Sequence, residues 1–204
     1  MVANIIQHIA CNFSAYIKFL YEDVLASAAF VQYFLFLEVI LAKPAFRATW
    51  AASQKIYDPA KPAERVAQVI GGDVAANIHD KKAPWENTCA VRISYILNQS
   101  GLLIPAIPRK TKKGADHRNY FFRVKDVIAF LETKWGKPEI IAYPPAGGGA
   151  LSGRKGLILF EVHGWLNANG HATLFNGMTC YDHCYFNEPG AKYRTTKANF
   201  WALK

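Results

Sequence analysis

Cys89 is the residue of this 204-residue chain best placed to do chemistry. It heads residues 87–101 (NTCAVRISYILNQSG), where Ala90, Ile93, Ile96 and Leu97 recur at helical spacing. Asn87 or Thr88 can serve as the N-cap, and Gly101 as the left-handed residue beyond the end. A free thiol with a pKa of about 8.5 is only slightly ionised at neutral pH, and the thiolate is the nucleophile. Unpaired N–H groups and the dipole at a helix N-terminus favour that anion. The competing reading is a small buried hydrophobe.

A cysteine nucleophile needs a base, and the base needs an orienting group. His171 follows Gly170 in WLNANGHATLF and opens a strand, which fixes its ring at a strand edge where a helix N-terminus can face it. His8, His79, His117 and His183 read as solvated surface residues, and His163 as structural. Asp182, in CYDHC, lies 11 residues past His171. A hairpin through Asn176-Gly177 would fold it back beside the imidazole, to accept a hydrogen bond and hold the tautomer. An ordinary turn aspartate is the alternative.

Cys180 and Cys184 have two readings. With His183 they could form part of a zinc site, but a tetrahedral set would have to recruit Cys89 and His171 as well. Alternatively they form a small disulfide. Closing a loop of about five residues contributes roughly 2 kcal/mol and would lock the segment that carries Asp182. Such a bond implies an oxidising compartment.

The elements that must position these residues follow from periodicity and punctuation. Residues 45–57 place Phe46, Trp50, Ser53 and Ile56-Tyr57 on one helical face. Residues 64–70 read as a second helix stopped by Gly71-Gly72, residues 77–86 as a polar loop, and residues 109–114 as a basic loop. A short strand and then a helix occupy residues 120–134. A glycine-rich loop occupies 144–156, an apolar strand 156–163 and a second strand 172–175. Helices first and strands later predict an α+β fold.

Composition sets the wider frame. Hydrophobic residues make up 51% and charged residues 19%, which excludes a disordered chain and permits a sizeable core. The net charge of +9 points to an anionic partner. It is uneven. Residues 1–43 hold Lys18 and Lys43 against Glu22, Asp23 and Glu38, a net of −1, while residues 44–204 carry +10. Residues 24–42 are apolar, but Glu38 interrupts them and the uncharged run of 14 residues is short of the ~20 a spanning helix needs. Glu22 and Asp23 stand where a secretory signal needs basic residues. Residues 1–43 therefore read as one or two packing helices, an N-terminal extension ahead of a domain over 44–204, with Pro44 at the boundary.

Taken together, NTCAVRISYILNQSG, GADHRNYFFRVKDVIAFL, HGWLNANGHATLFNG and CYDHC resemble the type VI secretion amidase effectors of the fourth family, and the resemblance spans residues 45–204. It implies an α+β, papain-like (NlpC-type) cysteine amidase, with a helix-borne cysteine packed on a small antiparallel sheet. The implied activity is cleavage of the γ-D-glutamyl–meso-diaminopimelate bond in peptidoglycan stem peptides. By motif, Cys89 matches the nucleophile, His171 the base, Asp182 the third catalytic residue, and Cys180 with Cys184 a disulfide pair. The implied partners are the type VI secretion machinery and a cognate immunity protein, with action in the periplasm of a target bacterium and without metal, organic cofactor or nucleic acid. The extension over 1–43 departs from the family pattern, and Phe175 stands where tryptophan is usual. Outside this resemblance, a basic binding module and a zinc protein remain as alternative classes.

Overall fold

The computed structural model describes residues 43–165 and 168–204. The expectations for residues 1–42, Cys11 among them, lie outside it, and Lys43–Lys204 form one compact unit. Four helices come first: α1 (Phe46–Ile56), α2 (Pro62–Ile70), α3 (Gly72–Ile78) and α4 (Cys89–Gln99). A two-stranded ribbon of β1 (Thr111–Lys113) and β2 (Asn119–Phe121) leads into α5 (Val124–Trp135). Then β3 (Glu139–Ala142), β4 (Gly156–His163), β5 (Gly170–Phe175) and β6 (Arg194–Ala202) build an antiparallel sheet in the order β3-β6-β4-β5. The fold is α+β. No helix among the described residues is long and apolar enough to cross a membrane.

Helix α4 is the centre of the molecule. Ten consecutive residues from Cys89 to Asn98 are buried, as expected of a helix packed on all sides rather than along one stripe. It is stopped by Gly101 at φ 95°, with the Leu102 N–H returning to the Leu97 carbonyl. Strand β4 is apolar on both faces because both are covered. Leu157 and Leu159 join the core that contains α1, α2 and α4, while Ile158, Phe160 and Val162 meet Phe175, Phe186 and Phe200 on the opposite side.

The edge strand β5 positions the site. It pairs with β4 from Gly156↔Phe175 to Glu161↔Gly170. A Cβ at Gly170 would come within 2.5 Å of the Phe160 carbonyl oxygen, so the residue before His171 must be glycine for the pairing to close. Beyond β5 the Asn176 side chain accepts the N–H groups of Met178 and Thr179, and Gly177 takes φ 98°. The chain then returns antiparallel, with Phe175 bridged to Cys180 and the Tyr181 N–H on the Leu174 carbonyl.

Three expectations are corrected. Gly71-Gly72 ends α2 but also starts α3, because both glycines take positive φ and turn the chain into a new helix. The basic stretch 109–114 contains β1, whose partner β2 supplies its ladder. The glycine-rich loop winds into a 3₁₀ turn over Ala146–Leu151, with Gly147, Gly148 and Gly149 in left-handed conformations. Strands β3 and β6 went unread; β3 exposes Ile140, and β6 interrupts its pattern with Lys197 and Asn199.

Candidate active site

Cys89 is the first residue of α4 and is buried, with His171 and the Ala172 N–H beside its thiol, both favouring the thiolate. It is the only free cysteine among the described residues. His171 is the second residue of β5, and its Nε2 lies 3.1 Å from Oδ2 of Asp182. That contact has the length of a close ion pair without the alignment of a hydrogen bond. The three predicted residues thus form one contiguous row.

Asp182 is held from four directions. Oδ2 accepts from Arg92 Nη2 at 2.7 Å and faces His171. Oδ1 accepts from the Thr173 hydroxyl and from the His183 N–H, the latter at 2.7 Å. Burial alone would raise its pKa, but the His171 charge, then Arg92 and the Thr173 hydroxyl, hold the carboxyl far below the usual carboxylate range.

Electrostatics favour a charge-separated pair. Burial pushes the imidazole pKa of His171 down, yet the Asp182 charge and the contact with Cys89 outweigh it and lift the value to about 9. Burial pushes the Cys89 thiol up, but the hydrogen bond and charge of His171, with Arg92 and the Ala172 N–H, bring it below its ordinary value. Both directions favour thiolate and imidazolium.

Arg92 is the residue that spacing did not single out. It sits one turn after Cys89 and is buried, donating to Thr88 Oγ1 at 3.0 Å, to the Tyr181 hydroxyl at 3.2 Å and to Asp182. Its guanidinium also lies over the Tyr57 ring, 5.1 Å from the centroid. The signal was present in the sequence, as the lone charge in its helix, three residues after the cysteine. Tyr185 went unread as well; its ring meets His171 edge-on at 4.8 Å.

His183 is exposed as expected, yet its N–H donates to Asp182 and its ring meets Tyr185 at 4.5 Å. One further assignment changes. His163 is exposed at the rim of a cavity beside Cys89 rather than structural. His79 is exposed as expected, and pairs with Glu64 at 2.9 Å. Cys180 and Cys184 are joined in a disulfide, so the zinc reading loses both of its sulfurs.

Known proteins match most of the chain. Residues 85–201 match the family described as type VI secretion system amidase effector protein 4, Tae4. The crystal structure of the Tae4–Tai4 effector–immunity complex from Enterobacter cloacae is 39% identical, with a TM-score of 0.70 over 79% of this chain and 99% of that one. The chain belongs to the Tae4 family. Tae4 of Salmonella typhimurium, solved with the immunity protein Tai4 of Enterobacter cloacae, is 35% identical with a TM-score of 0.70, covering 79% of this chain and 100% of that one. Tae4 of Enterobacter cloacae solved alone is 38% identical, with a TM-score of 0.69 over 79% and 98%. No curated protein matches the chain. As a Tae4 protein it is a type VI secretion effector, an antibacterial peptidoglycan amidase that acts in the periplasm of target bacteria.

Proposed function

We propose that this Tae4 protein cleaves the γ-D-glutamyl–meso-diaminopimelate amide of stem peptides through Cys89, His171 and Asp182, on a papain-like, NlpC-type scaffold. The observation that carries the reading is the continuous row from the Cys89 thiol through His171 to Asp182. His171 takes the Cys89 proton, and the thiolate attacks the γ-carbonyl carbon, forming an S–C bond and an oxyanion. The first backbone bond donated within α4 runs from Arg92 to Thr88, so the N–H groups of the preceding turn are available to an oxyanion beside Cys89. Collapse breaks the C–N bond, and the amine leaves with the proton from His171. Water, deprotonated by His171, then hydrolyses the thioester to release the glutamyl carboxylate and the free thiol. Asp182 keeps the imidazole oriented and stabilises its charged form.

The same reading makes residues 44–204 the catalytic domain and residues 1–43 an extension. It also gives the chain a cognate periplasmic immunity protein, as the Enterobacter and Salmonella effectors have in their solved complexes.

Purified protein incubated with muropeptides and followed by mass spectrometry tests the proposal. The expected products separate D-glutamate from meso-diaminopimelate. Cys89→Ala and His171→Ala should abolish them, and Asp182→Asn should reduce turnover by orders of magnitude. Undiminished digestion by Cys89→Ala would overturn the mechanism.

A further inference from the structure

Two hollows meet at Cys89. The larger, of about 930 Å³, is bounded by Trp85, Phe122, Arg123, Lys125 and Glu161. The smaller, of about 370 Å³, contains His171, Asp182 and Tyr185. Cys89 borders both, whereas His171 borders only the smaller. A general acid must stand on the leaving-group side of the scissile bond. The amine half of the substrate therefore belongs over the imidazole in the smaller hollow, and the acyl half in the larger.

The acyl half has a chemical mark. A glutamyl residue linked through its γ-carbonyl keeps a free α-carboxylate two methylenes from the bond being cut. The larger hollow offers two lysine or arginine side chains, and they are not equivalent. Arg123 is already engaged: Nε contacts Asp126 at 2.6 Å, Nη2 donates to the Arg109 carbonyl at 2.9 Å, and the guanidinium lies over the Phe122 ring. Lys125 is exposed, with no hydrogen bond or ion pair among the described residues. Glu161, which also lines the hollow, is held by Lys197 at 3.6 Å and by Asn199 at 3.0 Å. Trp85 stacked on Phe122 at 5.1 Å supplies an apolar floor for the glutamyl methylenes.

We propose that the larger hollow is the acyl-side subsite and that Lys125 selects stem peptides whose D-glutamyl α-carboxylate is free. This rests on the bond assignment proposed above. The test compares two synthetic stem peptides that differ only in carrying an α-carboxylate or an α-carboxamide on D-glutamate, with kcat/KM followed by product mass. Wild-type protein should favour the carboxylate by about tenfold, as expected for one charged contact. Lys125→Met should remove the preference, and Lys125→Arg should retain it. Equal kcat/KM in the wild type, or a preference that survives in Lys125→Met, would overturn the subsite. In that case the product masses would still report cleavage between D-glutamate and diaminopimelate, leaving the bond assignment standing. Products cut at another bond would overturn both.

Discussion

In the proposed mechanism the titration of Cys89 and His171 sets the working range of the enzyme. The competent form of that mechanism has a thiolate and an imidazolium, so activity should fall on both sides. It falls at low pH as Cys89 takes up a proton, below the ordinary thiol value, and at high pH as His171 loses its proton near about 9. A kcat/KM profile should show a plateau that ends on the alkaline side near pH 9. Alkylation by iodoacetamide provides a second readout: Cys89 should react at pH 6 far faster than a free cysteine, and His171→Ala should abolish the advantage. A Cys89 that alkylates only above pH 8 would contradict the ion pair.

At the scale of elements, the ion pair between Arg92 and Asp182 ties α4 to the segment after β5, and both side chains are almost fully buried, at 7% and 2% exposure. Removing one partner of such a pair leaves the other charge uncompensated, at a cost of about 3–5 kcal/mol. Arg92→Met should lose about that much stability in urea unfolding, and should also raise the pH at which Cys89 alkylates, since Arg92 is among the groups that lower its pKa. Replacing Cys180 and Cys184 by serine should cost about 2 kcal/mol, with activity reduced through a looser Asp182. The two effects explain what was legible in the sequence. Cys89, His171 and Asp182 were readable because each follows local punctuation: a cap, a glycine, a turn. Helix α4 and strand β4 were readable because their burial leaves apolar residues at most positions. Arg92 showed only as a lone cation in its helix, because two of its partners are 89 and 90 residues away and meet it only when the chain has folded. Strand β6 was hidden for a related reason. Its Asn199 is buried, yet bonded to the Leu159 carbonyl and to Glu161, so a polar residue interrupts a pattern that tertiary contacts satisfy.

For the whole molecule, stability should follow the titrations of His171 and Asp182. His171 has a folded pKa raised above its unfolded value, so its contribution is full below about pH 6.5 and lost as pH rises through about 9. Asp182 has a depressed folded value. Its contribution is full above about pH 3.9 and lost as pH falls through the lower folded value. Urea midpoints measured from pH 3 to 10 should therefore form a dome between these limits, with the alkaline loss absent in His171→Ala. The excess positive charge over residues 44–204 suits a wall polymer rich in carboxylates. A chain beginning at Pro44 should fold and retain its cleavage of muropeptides; loss of either would place part of the catalytic unit in the extension.

The spacing of the Asp182 contacts bears on how the activity arises in time. Arg92 reaches across 90 residues to Asp182, and Tyr181 across 89 to Arg92, whereas Thr173 and His183 contact Asp182 locally. Closing a span of that length is a late event in folding, since its entropic cost precedes the contacts that offset it. A chain only half refolded therefore carries the helix and the strand as separate, inert pieces. In refolding from urea, amidase activity should return in step with the last tertiary signal and never ahead of it.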